Sequence, residues 1–170
     1  GQDGSCSFSV PALTDGAHSL TTTVTDAAGN ISPASDPISF TVDTVAPEAA
    51  TDLQLANDSG SLVVPIAAGG DTNDSTPVLS GKAEVGSTVS VYDGTALLGT
   101  ATVGQDGNWS FTVPALEDGA HSLTTTMTDA AGNVGPASEA IGFTVDTVAP
   151  DAVSGVTVTD NVGDSQGQLA

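Results

Sequence analysis

Apolar and small polar residues alternate along most of the chain. Thr88-Val-Ser-Val-Tyr92, Trp109-Ser-Phe-Thr-Val113 and Leu123-Thr-Thr-Thr-Met-Thr128 each place one kind of residue on one face and the other kind opposite. Period two over runs of this length is the pattern of a half-buried strand. Between the runs stands turn chemistry: Asp93-Gly94, Asp106-Gly107, Asp118-Gly119 and Gly132-Asn133. Gly and Asn adopt the left-handed conformations such turns need, and Asp bonds its own backbone. No stretch carries an apolar stripe at helical spacing. The pattern predicts seven strands, at residues 53–57, 78–84, 87–92, 96–102, 108–113, 120–128 and 139–145.

Seven short strands with turns every 8–12 residues and no helix specify an all-β fold, an immunoglobulin-like β-sandwich. Its expected core is Leu53, Leu55, Val78, Leu79, Val89, Val91, Leu98, Trp109, Phe111, Val113, Leu123 and Phe143. The sequence also repeats. Residues 1–50 align without a gap on residues 104–153, and 38 of the 50 positions are identical. GQDG, DGAHSLTTT, TDAAGN and FTVDTVAP occur in both copies. Self-similarity at a fixed period marks a tandem array. Residues 1–43 are read as the C-terminal part of one unit, 44–146 as a complete unit and 147–170 as the start of a third, which makes the chain a piece of a longer array.

Charge narrows the partners. The 170 residues hold 21 Asp and Glu against one basic residue, Lys82, for a net charge of −20. Such a chain repels phosphate backbones and anionic lipid headgroups, so nucleic acid and direct membrane insertion are excluded as partners. Seventeen of the acids are Asp, a residue of turns rather than helices. A single Cys forbids an intrachain disulfide, and no apolar run approaches the ~18 residues of a membrane-spanning helix. Cys6 aligns with Trp109 and reads as a small buried residue. His18 and His121, aligned beside the two DGA turns, read as surface residues at strand starts, and no nucleophile stands near them in sequence. No phosphate loop or paired catalytic carboxylates emerge, so the chain is not read as an enzyme.

The stretch STVSVYDGTALLGTATVGQDGNWSFTVPALEDGAHSLTTTMTDAAGNVGPASEAIGFTVDTVAP, residues 87–150, resembles the bacterial Ig-like repeats of giant biofilm-associated and type-I-secreted surface adhesins. The resemblance covers essentially the whole chain. It implies a secreted, cell-surface rod of many tandem domains, in which neighbouring repeats of the same chain are the first partners and identical adhesins on other cells are further ones. It also implies calcium at domain junctions, stiffening the rod. The alternatives are a domain that itself grips a glycan, a host protein or ice, and a homotypic cell–cell association module. Near-identity of the two copies suits a spacer better than a specialised tip.

Strand order suggests where calcium would sit. Chain direction reverses with each strand, so the turn Asp129-Ala-Ala-Gly-Asn133 falls at the end where the linker Asp43-Thr-Val-Ala-Pro47 arrives. Asp43, Asp129 and Asn133 are expected to converge there, with Glu84 at the same end. Asp146 repeats the arrangement at the next junction, and Asp26 and Asn30 form the equivalent turn of the first unit. Hard divalent cations take oxygen ligands from such groups. A second candidate cluster, Asp71, Asp74 and Asp93, is expected at the opposite end; the competing reading makes Asp71-Thr-Asn-Asp74 an Asx turn that satisfies local backbone.

Overall fold

The computed structural model describes residues 6–157, so part of the third-unit reading, residues 158–170, lies outside the described residues. Eleven strands are present among them and no helix. In the first unit, β1 (Gly16–Leu20) and β2 (Ile38–Val42) form an antiparallel ribbon, Gly16 opposite Val42 and Leu20 opposite Ile38. The second unit is a two-sheet sandwich. Its strands are β3 (Thr51–Asn57), β4 (Val64–Ile66), β5 (Asp71–Thr72), β6 (Val78–Lys82), β7 (Thr88–Asp93), β8 (Ala96–Thr102), β9 (Asn108–Thr112), β10 (Gly119–Thr128) and β11 (Ile141–Val145). One sheet runs β4-β3-β6-β9 and the other β5-β11-β10-β7-β8.

All seven strands expected in this unit form. The two that the pattern does not reveal, β4 and β5, are short and irregular. β4 is Val-Pro-Ile, and proline normally demotes a strand because it has no N–H to donate. β5 has only two residues and pairs parallel with β11, Asp71 beside Thr144 and Thr72 beside Val145. The chain thus passes from one sheet to the other between β4 and β5, which closes the sandwich along β11.

Apolar residues at alternate strand positions meet between the sheets. Leu55, Leu79, Val89, Val91, Val103, Trp109, Val113, Leu123, Met127, Phe143 and Val145 form the buried cluster, with Ala50 at its edge. Four residues expected in the core are only half-buried, each for a local reason. Val78 opens β6, Leu98 lies on edge strand β8, and Phe111 lies on edge strand β9. Leu53 lies within the β-bulge, where register slips between Thr51 and Gln54 and Asp52 takes φ 51°. Two strand glycines leave room for aromatic rings. A Cβ on Gly99 would come within 2.8 Å of the Phe111 ring, and one on Gly81 within 3.2 Å of Trp109 Cζ2.

The first unit shows what the sandwich contributes. Val24 is 68% exposed, whereas its equivalent in the second unit, Met127, is fully buried. Phe40 is 37% exposed and its equivalent Phe143 only 3%. Cys6 is exposed, contrary to the reading of it as buried, because residues 6–43 supply no second sheet to cover the position that Trp109 fills in the complete unit.

Candidate junction site

The turn after β10 is built by its own side chains. Asp129 Oδ1 accepts the N–H groups of Ala131 (2.8 Å) and Asn133 (2.9 Å), and Oδ2 accepts Asn133 Nδ2 at 2.8 Å. Gly132 takes φ +93°, which a side chain would resist. In the first unit the same turn forms from its own residues. Asp26 Oδ1 accepts from Ala28 and Asn30, and Oδ2 accepts Asn30 Nδ2 at 2.8 Å. The loop is therefore set by local sequence. The Asn30 side-chain amide, helped by backbone N–H groups, holds the Asp26 carboxyl below the ordinary carboxylate range, and Asn133 does the same for Asp129.

In the second unit the linker meets this turn. Asn133 Nδ2 donates its second hydrogen to the Asp43 carbonyl at 3.0 Å. Asp43 Oδ1 accepts from the Val45 N–H at 3.0 Å, fixing the turn by which the chain enters. Pro47 and Gly135 are both buried where the incoming segment crosses the loop. The Asp43 carbonyl oxygen thus lies against the Asp129–Asn133 turn, while the Asp43 carboxylate is held by its own linker. Asp146 repeats the Asp43 turn, its Oδ1 accepting from Val148 at 3.0 Å while its N–H bonds the Thr72 carbonyl.

A family model for the bacterial Ig-like domain matches residues 1–44 and, a second time, residues 45–147. The chain belongs to the bacterial Ig-like domain family. No curated protein matches it. Among solved structures, CopC from Methylosinus trichosporium OB3b is 20% identical over 47% of this chain and 85% of its own, with a TM-score of 0.34. The BSP domain of a biofilm-associated protein is 24% identical over 81% of this chain, with a TM-score of 0.36. The match spans 26% of that biofilm-associated chain.

The other candidate ligands of the Ig-like unit lie elsewhere. Glu84 is exposed in the turn between β6 and β7, beside Glu48, Ala49 and Lys82 rather than on the Asp129 turn; its carbonyl accepts from Ser87 N–H and Oγ. Among the described residues no three His, Cys, Asp or Glu side chains gather as a metal-holding group. Asp71, Asp74 and Asp93 do not come together. β10 and β11 separate β5 from β7, three strand spacings or about 14 Å.

Each member of that expected cluster has its own partners. Asp71 pairs along β11. Asp74 takes Thr76 N–H at 2.9 Å, an Asx turn as in the competing reading, but it is buried rather than solvated and also takes Asp58 N–H at 3.0 Å from sixteen residues away. Asp93 accepts Ser122 N–H at 2.9 Å and His121 Nδ1 at 2.7 Å.

That last contact corrects the reading of His121 as a surface residue, since its side chain is only 13% exposed. Its Nε2 faces the Glu117 carbonyl at 2.9 Å. Both ring nitrogens therefore meet acceptors, and only the imidazolium can donate to both at once. Burial disfavours the charged ring, but the bonds to Asp93 and Glu117 outweigh it and raise the His121 pKa. Burial likewise acts to raise the Asp93 pKa, and the Ser122 and His121 bonds lower it on balance.

Sequence reasoning also missed the serines that follow the turn. Ser138 Oγ accepts the Thr125 N–H at 3.0 Å, and its equivalent Ser35 accepts Thr22 N–H at 3.1 Å. Ser138 takes up the β10 edge where pairing with β11 ends at Leu123, and Ser35 does the same two residues past the end of β1. The available signal was Pro-Ala-Ser three residues after Gly-Asn in both units.

Proposed function

We propose that this chain is a non-enzymatic spacer from a bacterial cell-surface adhesin, in which calcium bound at the junctions holds successive Ig-like units in line. Its partners are neighbouring units of the same chain and identical adhesins on other cells. The observation that carries the reading is the meeting of the incoming linker with the Asp129–Asn133 turn, through the Asn133–Asp43 bond, in a chain whose units repeat 103 residues apart.

The donors at that junction are oxygen only, and fit calcium in kind. Asp43 and Asp129 would supply carboxylate oxygens and Asn133 its amide oxygen, with water completing the shell. The electrostatic reason is direct. The complete unit holds 13 acids and one Lys, −12 in all, and end-to-end packing brings carboxylates of adjoining units together. Each bound cation cancels two charges where repulsion is greatest. With free calcium at a hundred times the dissociation constant, linkage stabilises the folded junction by about 2.7 kcal/mol.

Calcium titration of the 170-residue chain, followed by calorimetry and thermal melting, tests the reading. Saturation is expected to raise the midpoint by about 10–20 °C for a domain of this size. EDTA is expected to reverse the rise and broaden the small-angle scattering profile. No change in melting or in scattering on chelation would end the calcium mechanism.

A further inference from the structure

The two Ig-like units differ at two positions in the loop that meets the linker, and one of them, Ile31 against Val134, exchanges one exposed β-branched apolar side chain for another. The first unit reads Asn30-Ile-Ser-Pro-Ala-Ser35 and the second Asn133-Val-Gly-Pro-Ala-Ser138, so Ser32 aligns with Gly135. The loop backbone is alike in both: Ser32 N–H donates to the Val24 carbonyl and Gly135 N–H to the Met127 carbonyl, each at 2.9 Å. What fills the space beside that backbone is not alike. In the first unit the Ser32 hydroxyl turns inward, accepting the Val24 N–H at 3.0 Å and donating to the Pro33 carbonyl at 2.9 Å. In the second unit there is no side chain, and the incoming linker enters the niche. A Cβ on Gly135 would overlap the Pro47 carbonyl oxygen and lie 3.1 Å from its carbonyl carbon. Gly135 does not need glycine for its own backbone, since its φ lies outside the left-handed range. The glycine is required by the neighbour.

We infer that this position selects how a unit receives the chain before it. Glycine opens a niche for the carbonyl of the Val-Ala-Pro linker and locks the junction, whereas serine closes the niche with its own hydroxyl and holds the linker off. A rod whose units vary here has stiff and loose joints written into its sequence. The contact belongs to this chain by itself; its extension to other units rests on the spacer reading.

The test is Gly135→Ser and Gly135→Ala in the full 170-residue chain, read by ¹⁵N relaxation and amide exchange. In the native protein Val45, Ala46, Glu48 and Ala49 should show order parameters near the rigid value of about 0.85, and in both variants these should fall below about 0.6. In Gly135→Ser the new hydroxyl should cap the Met127 N–H as Ser32 caps Val24, so Met127 exchanges about tenfold more slowly than in Gly135→Ala. Linker order parameters unchanged in the variants would overturn the niche. Equal Met127 exchange in the two variants would overturn the closing role of serine. Global unfolding of Gly135→Ser would also overturn it, because the serine loop of the first unit closes through its own hydroxyl. If chelation has no effect but the variants free the linker, the docking contact stands without the metal. The reverse pair of outcomes leaves calcium as the fastener and removes the niche.

Discussion

Trp109 offers the sharpest test of how this sandwich is held together, because the other unit carries Cys6 at the same place. The indole is 4% exposed, lies opposite Gly81 across the β6–β9 pair, and leaves its Nε1 buried without a partner. Burial of an indole removes on the order of 200 Å² from water, about 5 kcal/mol at ~25 cal/mol per Å². In Trp109→Cys the Cβ and sulfur keep about 1 kcal/mol of that, and loss of the unpaired N–H relieves about 1 kcal/mol more. The remainder is about 3 kcal/mol, within the range measured for large-to-small core changes.

At about 4–8 °C per kcal/mol for a domain of this size, the melting midpoint should fall by about 12–24 °C. Trp109→Phe retains most of the buried area and removes the orphaned donor, so it should cost less than about 1.5 kcal/mol. Far-UV circular dichroism is the suitable assay, since Trp109 is the sole tryptophan and its fluorescence disappears with it. A Trp109→Cys midpoint within about 4 °C of the native one would refute the argument. It would mean that the position tolerates a cavity and that Cys6 costs its unit nothing.

The His121–Asp93 pair makes stability depend on pH. His121 titrates above its ordinary 6.5 in the folded chain, so its contribution is complete below pH 6.5 and fades as pH rises through the raised pKa; Asp93 titrates below 3.8, so its contribution is present above that value and fades as acid protonates it. Chemical denaturation should find about 0.5–1 kcal/mol less stability at pH 8.5 than at pH 5.5 from this pair. Asp93→Asn should flatten that difference, and an unaltered pH profile in the variant would place the dependence elsewhere. In β6, Gly81→Ala would set a methyl 2.9 Å from both Leu53 Cδ2 and the Thr51 carbonyl oxygen. Overpacking of this kind should cost about 1–3 kcal/mol by urea denaturation, whereas Gly142→Ala, whose nearest neighbour would be 3.9 Å away, should be nearly neutral.

How much of this was legible without coordinates depends on the range of the interaction. Seven of the second unit's nine strands, the all-β class and the repeat were readable because period two, Asp-Gly turns and self-similarity are local properties of the chain. The Asp129–Asn133 turn was readable for the same reason: its bonds span at most four residues, and the first unit builds it alone. Topology placed the linker at that turn, since the reversal of each strand fixes which end a loop occupies.

Strand order across a sheet is a different matter. Asp71 and Asp93 share an end of the molecule, but which strands lie between β5 and β7 is decided by pairing between distant segments. For the same reason His121 found Asp93, 28 residues away, instead of solvent. Cys6 and Trp109 occupy one position in one repeat, yet one is exposed and the other buried. The sequence by itself determined the seven long strands, the turns and the unit length, because each rests on neighbours along the chain. Tertiary structure alone decided which carboxylates meet, which apolar faces are covered and why residue 135 has no side chain. Those outcomes depend on what a second segment brings to the same space.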